Sequence, residues 1–192
     1  MRNAKNYYGF IIFLAFWAFA AAQTATAQNV LSPQDKKTIS VFEKQAKKYS
    51  KLRGRIEGKI PKVSKDATAE QIETYKSAFQ RSVHSARRGA KQGDIFTPAA
   101  TELIRKIIKN EFQGKERVEL RTDVLEADTK GVVLKINFPY PDSKEQIEMP
   151  PTLLLSLPQL PKDLRFRFVG RSLLLVDREN GLIVDYMTNA LP

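Results

Sequence analysis

Hydrophobic residues recur every three to four positions through the first half of the chain, a spacing typical of amphipathic helices. One stripe follows Ser32-Pro33, a pair that favours a helix start. Its members are Ile39, Phe42, Ala46, Tyr49, Leu52 (or Arg53) and Ile56. A second stripe follows the capping box TAEQ at 68–71 and comprises Ile72, Tyr75, Phe79, Val83 and Ala86. The two helices are expected to pair as an antiparallel hairpin.

A third helix is predicted from Pro98 to about Phe112, with Thr97 as its N-cap. Its apolar residues are Leu103, Ile104, Ile107, Ile108 and Phe112. So broad an apolar face predicts that this helix packs on a sheet, while the hairpin could project from that body.

The second half of the chain changes to a period of two, which indicates strands. Residues 132–141 and 164–170 alternate, and residues 172–186 hold Asn180-Gly181 between two apolar runs, a strong hairpin signal. A short helix is predicted at 151–157, and residues 117–128 fit a strand or a loop equally. The fold class predicted is α+β: an N-terminal antiparallel helical hairpin and a third helix, followed by a small antiparallel sheet of about four strands.

The N-terminus has the three parts of an export signal: Arg2 and Lys5, an apolar run at 10–22, and the small residues ATA at 25–27. The apolar run is shorter than the roughly 20 residues that span a bilayer, so cleavage is expected rather than an uncleaved anchor. The prediction is a bacterial signal peptide at 1–27 and a single domain at 28–192, periplasmic or secreted. Within it, 28–94 would form the basic hairpin and 95–192 the helix and sheet. No second run long enough to span a membrane follows.

Positive charge is concentrated in one part of the chain. Residues 28–65 hold eleven Lys and Arg against three acids, whereas residues 117–192 hold ten against eleven. This asymmetry favours an anionic partner such as an envelope surface or glycan, although a solvated helix face is the alternative. The residues predicted to bind it are Lys36, Lys44, Lys47, Lys48, Lys51, Arg53 and Arg55. Nucleic acid is disfavoured, because Phe42 and Tyr49 fall on the stripe that should be buried.

The composition narrows the chemistry further. The chain has no cysteine and one histidine, which excludes disulfides, a lipid-modified cysteine and thiolate metal sites. No metal site, cofactor or catalytic residue is therefore predicted. The segment GAKQGD lacks the spacing and the preceding strand of a phosphate-binding Walker loop.

Residues 87–98, RRGAKQGDIFTP, pose the main functional question. Arg87, Arg88 and Lys91 suit the negative end of the second helix, and Gly93 can adopt the left-handed conformation beyond it. Asp94 has no assigned structural role. The segment is thus predicted to join two helices, and an envelope hydrolase remains the alternative. Its site would use His84, Arg87, Arg88, Lys91 and Asp94.

The chain resembles a group of uncharacterised exported bacterial proteins in four features. They are the segment GDIFTP at 93–98 within the joint, the Leu-Pro segment, the Arg-Phe strand and the closing hairpin. The resemblance covers roughly residues 36–188. It implies export and a single fold, and it brings no activity, cofactor or catalytic residue.

Three functions follow as hypotheses. The leading one is a non-enzymatic exported protein that binds an anionic envelope component or a protein partner through its basic helix. The second is the hydrolase with a site near the joint. The third is a structural or accessory subunit whose leucine-rich segment at 150–161 docks on a partner, although burial in the core is the more ordinary fate of such leucines.

Overall fold

A computed structural model describes residues 31–112, 122, 124–127, 129 and 131–191. The predicted signal at 1–27 lies outside these residues. Of the unassigned stretch 117–128, the structure describes 122 and 124–127, and it finds 122 and 124–126 helical. Every core residue lies within the compact unit Leu31–Pro192.

Three of the four helices named here begin directly after the capping residues that the sequence predicts, and the fourth has no side-chain cap. Helix α1 is Pro33–Glu57 and helix α2 is Ala69–Ala86, each with a complete capping box. Helix α3 is Pro98–Glu111, capped by the Thr97 hydroxyl, and helix α4 is Pro151–Ser156. Proline at the first position of three of them costs no hydrogen bond, because that N–H has no partner within a helix.

The sheet is an antiparallel meander of three strands: β1 (Leu164–Val169), β2 (Ser172–Asp177) and β3 (Ile183–Met187), in the order β1-β2-β3. The α+β class and the closing hairpin are therefore confirmed. Gly181 adopts φ +66° in the β2–β3 turn, a conformation that favours glycine. A bulge shifts the β2–β3 register between Leu175 and Val176.

The fourth strand expected at 132–141 was wrong. This segment forms one isolated bridge, between Pro139 and Leu182, and three backbone hydrogen bonds join it to residues 181–183. Asn137 adopts φ +65°, and Pro139 and Pro141 have no N–H to donate, so a continuous ladder cannot form.

The two faces of the sheet are covered differently. On one face, Phe42 of α1 packs on Phe166 at 6.1 Å between ring centroids, and Phe112 after α3 meets Phe168 edge-on at 6.0 Å. Helix α3 thus packs on the sheet as predicted, but α1 does so too and does not project. On the other face, Val132, Leu134 and Ile136 cover a smaller cluster around Tyr140 and Leu174.

Candidate functional site

Helix α1 has one basic side and one buried side. At about 100° per residue, seven exposed cations fall within an arc of about 120°. They are Lys36, Lys37, Lys44, Lys47, Lys48, Lys51 and Arg55. None of the seven forms an ion pair with another described residue, and the three acids of α1 lie outside the arc. We call these seven residues the basic arc.

Four lysines of the basic arc line a groove against the segment that leads to β1. Lys44, Lys47, Lys48 and Lys51 form one wall and Gln159–Pro161 the other, around a volume of about 680 Å³. Glu43 also lines the groove, and its carboxylate joins the two walls by accepting a hydrogen bond from the Gln159 N–H at 3.1 Å. We call this feature the lysine groove. It presents four ammonium groups on one rigid helix, and ammonium groups bind anions.

Arg53 does not belong to the basic face, and its assignment to that face was wrong. It lies among the buried residues of α1 with 6% of its surface exposed. Its guanidinium binds Asp177 at 3.0 Å, Glu57 at 2.6 Å and also Glu179. Burial disfavours the charge of Arg53, but these carboxylates outweigh burial and hold its pKa above the ordinary value. Such an arginine fixes α1 to the sheet and is not available to a partner.

Asp177 is the centre of that network. One of its oxygens accepts from the Tyr49 hydroxyl at 2.9 Å and from Arg53. The other accepts from the backbone N–H groups of Glu179 and Asn180, which closes the β2–β3 turn. Burial, and next the neighbouring Asp177, raise the pKa of Tyr49 well above its ordinary value. The sequence signal was an aspartate directly before a turn, a position where its side chain binds nearby N–H groups.

The joint at 87–98 does form a cradle of backbone N–H groups around an anion, but the anion is a side chain of the same protein. The carboxylate of Asp185, fully buried in β3, accepts from Gly93 at 2.9 Å, Ile95 at 2.7 Å and Phe96 at 2.8 Å, and from Tyr186 at 2.8 Å. Gly93 has φ +90°, as the sequence predicted, and this turns its N–H inward. Burial raises the pKa of Asp185, while the four N–H donors act against that rise.

The other joint residues have structural or exposed positions. Arg87 donates to the Val184 carbonyl at 3.0 Å and lies over the Tyr49 ring at 5.1 Å. Asp94 accepts from the Lys91 N–H at 2.9 Å, which gives it the structural role that the sequence left open. Arg88 and Lys91 are exposed.

His84 is exposed and packs edge-on against Phe138, with 5.2 Å between ring centroids. It lines a depression of about 370 Å³ that has no carboxylate in its lining. The hydrolase hypothesis requires His84 or Asp94 to face a second acid in a pocket, and this geometry gives it no support.

A cleft of about 680 Å³ that the sequence did not indicate lies between the end of α1 and α2. Glu57, Tyr75 and Glu179 line it. Both carboxylates already bind Arg53, so they serve the buried network. Within the described ranges, no group of histidine, aspartate and glutamate side chains has the geometry to hold a metal ion. None of the described helices combines the length and the apolar character that crossing a bilayer requires.

The chain matches no protein-family model, no curated protein and no solved structure. The resemblance noted from the sequence therefore carries no residue role to this chain, and the functional argument depends on the geometry alone.

Proposed function

We propose that this protein is exported, loses residues 1–27 and binds an anionic component of the bacterial envelope through the basic arc of α1. The observation that carries the proposal is the separation on that helix. Seven cations share an exposed arc without a described ion pair, while the one arginine on the opposite side is buried among carboxylates. Arg53 thus has carboxylate partners inside the fold, whereas Arg55 on the basic arc has no ion-pair partner among the described residues.

Electrostatic repulsion between the cations of the basic arc provides a physical mechanism for such binding. Exposed like charges on one helix repel one another, and a polyanion or an anionic surface relieves that repulsion. The interaction is electrostatic, so it should weaken steeply as salt rises. The lysine groove concentrates four of the charges where Gln159–Pro161 limits access to one side.

The test is a variant in which Lys44, Lys47, Lys48 and Lys51 all become glutamine. The chain from Gln28 keeps every residue of the core, so it is the background for all variants. Binding to vesicles that contain phosphatidylglycerol, and to immobilised heparin as an anionic glycan, is measured at low and high salt. We expect affinity at low salt to fall on the order of 1,000-fold, since each of the four cations near an anionic surface contributes about 1 kcal/mol and about 1.4 kcal/mol is tenfold.

A matched control removes four exposed cations outside the arc: Arg81, Arg88, Lys91 and Lys109. The two variants have equal net charge, so a difference in their binding reports where the charge was lost. Equal binding by both variants would show that only net charge matters and would overturn the proposal. So would a wild-type protein that binds neither vesicles nor heparin.

A further inference from the structure

The leucines at 153–157 have two different environments. Leu153 and Leu157 are buried in the core, whereas Leu154 and Leu155 point outward with 51% and 88% of their surface exposed. Helix α4 is held in place by the buried Leu153 and by the Thr152 hydroxyl, which binds Glu111 of α3. Two adjacent exposed leucines on an anchored helix indicate a contact site rather than core packing.

A second groove begins at these leucines and runs along the outer edge of β1, an edge that Ile147 covers only at Phe168. It has a volume of about 510 Å³. Lys162, Arg165, Arg167 and Arg178 line it, with Glu148 as its one carboxylate. We call it the arginine groove. It shares Gln159–Pro161 with the lysine groove, so the two basic surfaces are continuous.

The arginine groove contains more positive charge than the described residues neutralise. Arg167 binds Glu148 at 2.8 Å, but Arg165 and Arg178 form no ion pair with a described residue. The Nε atom of Arg165 is buried and has no hydrogen-bond partner in the described part of the chain. Burial, and next the neighbouring Arg165, lower the pKa of Arg167, so these guanidinium groups repel one another. A phosphate bound at their terminal nitrogen atoms would offset this repulsion.

A strand of another protein is a poorer occupant of this edge. The edge carbonyl of Phe166 already accepts a hydrogen bond from Arg167 at 3.0 Å, and charged side chains along an edge strand oppose further pairing. Phosphate acceptors beside an apolar interior are instead the chemistry of a phospholipid surface, which matches arginines beside exposed leucines.

We propose that the arginine groove and Leu154–Leu155 dock on an anionic phospholipid membrane, with guanidinium groups at the lipid phosphates and the leucines among the acyl chains. This inference names phospholipid as the anionic component, and it therefore rests on the proposed function. The lysine groove would add electrostatic attraction, while the leucines would make the contact specific for lipid.

The sharpest test is a matched pair of substitutions, Leu155→Asn and Val133→Asn. Val133 is 84% exposed and lines neither groove, so the two sites differ in place and not in exposure. Leu155→Asn should weaken binding to phosphatidylglycerol vesicles about tenfold, because a leucine side chain would no longer leave water. Val133→Asn should bind as wild type, and neither change should alter binding to heparin.

Two further measurements test the same contact. Arg165→Gln with Arg178→Gln should weaken vesicle binding about 30-fold, since each removes a cation from the lipid phosphates, worth about 1 kcal/mol. The chain has no cysteine, so Leu155→Cys and Val133→Cys each give one site for a polarity-sensitive dye. The emission at 155 should shift to the blue on phosphatidylglycerol vesicles, and the emission at 133 should not.

The outcomes separate this inference from the proposed function. If Leu155→Asn binds vesicles like wild type while the lysine-groove variant does not, the inference is wrong and the proposed function stands. Equal competition by inorganic phosphate and by vesicles would show a free-anion site and overturn the inference. A dimer detected by light scattering and dissociated by Leu155→Asn would also overturn it, because the leucines would then contact a second copy.

Discussion

The joint at 87–98 and the basic arc of α1 both contain arginine and lysine, but charged groups have different partners in the two regions. At the joint, backbone N–H groups surround the buried carboxylate of Asp185, so the potential anion site is filled from within. On the basic arc, seven cations have no described ion-pair partner. A loop that looks functional can therefore be structural, and a helix face that looks like ordinary solvation can be the better candidate.

The largest expected effect on stability comes from a substitution that removes the anion bound by the joint. Asp185→Asn replaces one acceptor oxygen with an amide that faces buried N–H donors, so we expect the free energy of unfolding to fall by about 4 kcal/mol. Urea denaturation measures it. Asp94→Asn is the control, because Asp94 is exposed and, among the described residues, its carboxylate accepts a hydrogen bond only from the Lys91 N–H. A loss for Asp185→Asn no larger than that for Asp94→Asn would contradict the cradle.

The next effect contrasts two arginines on α1 that are two positions apart. Arg53→Gln should lower the free energy of unfolding by about 3 kcal/mol, because Asp177 would stay buried without its cation. Arg55→Gln should leave stability within about 0.5 kcal/mol, since Arg55 is exposed. Urea denaturation and vesicle binding of both variants give the comparison. Binding should fall for Arg55→Gln, and equal stability of the two variants would refute the division of α1.

The smallest expected effect is a pH dependence. Burial raises the pKa of Asp185 above its ordinary value of 3.8. Just above that value the folded chain therefore holds a proton that the unfolded chain releases. The stability linked to this group is complete below the ordinary value and is lost as pH rises through the folded pKa.

The unfolding free energy of wild type minus that of Asp185→Asn isolates this group, because other titrations cancel in the difference. The difference should decrease as pH rises from about 3 to 7. An increase over the same range would mean that the four N–H donors outweigh burial.

Local signals were sufficient wherever structure depends on neighbours in the chain. The capping residues Ser32, Thr68 and Thr97 defined the three long helices, and the Asn180-Gly181 pair marked the closing hairpin. The signal failed at 132–141, where alternation is present but the segment pairs with residues 181–183 at one bridge alone and otherwise packs across a sheet face. Alternating polarity reports burial on one side and does not by itself report a hydrogen-bonded neighbour.

Local sequence signals predicted only part of the candidate site. The basic helix and six of its seven predicted cations were correctly placed on an exposed face, because helical period alone decides that. Arg53 was misplaced, since only a distant Asp177 makes burial of a guanidinium tolerable. The arginine groove was not foreseen, because it unites β1 with residues on either side of it.

The sequence by itself determined the helices, the closing hairpin and the excess of positive charge on α1, because these depend on spacing along the chain. The tertiary structure decided which charged side chains have partners inside the fold. It brought Asp185 to the N–H groups of the joint and Asp177 to Arg53, from 92 and 124 residues away. It also left Leu155 and the basic arc facing outward. The physical reason is that a buried charge requires a partner, and only the fold can bring a distant one into contact.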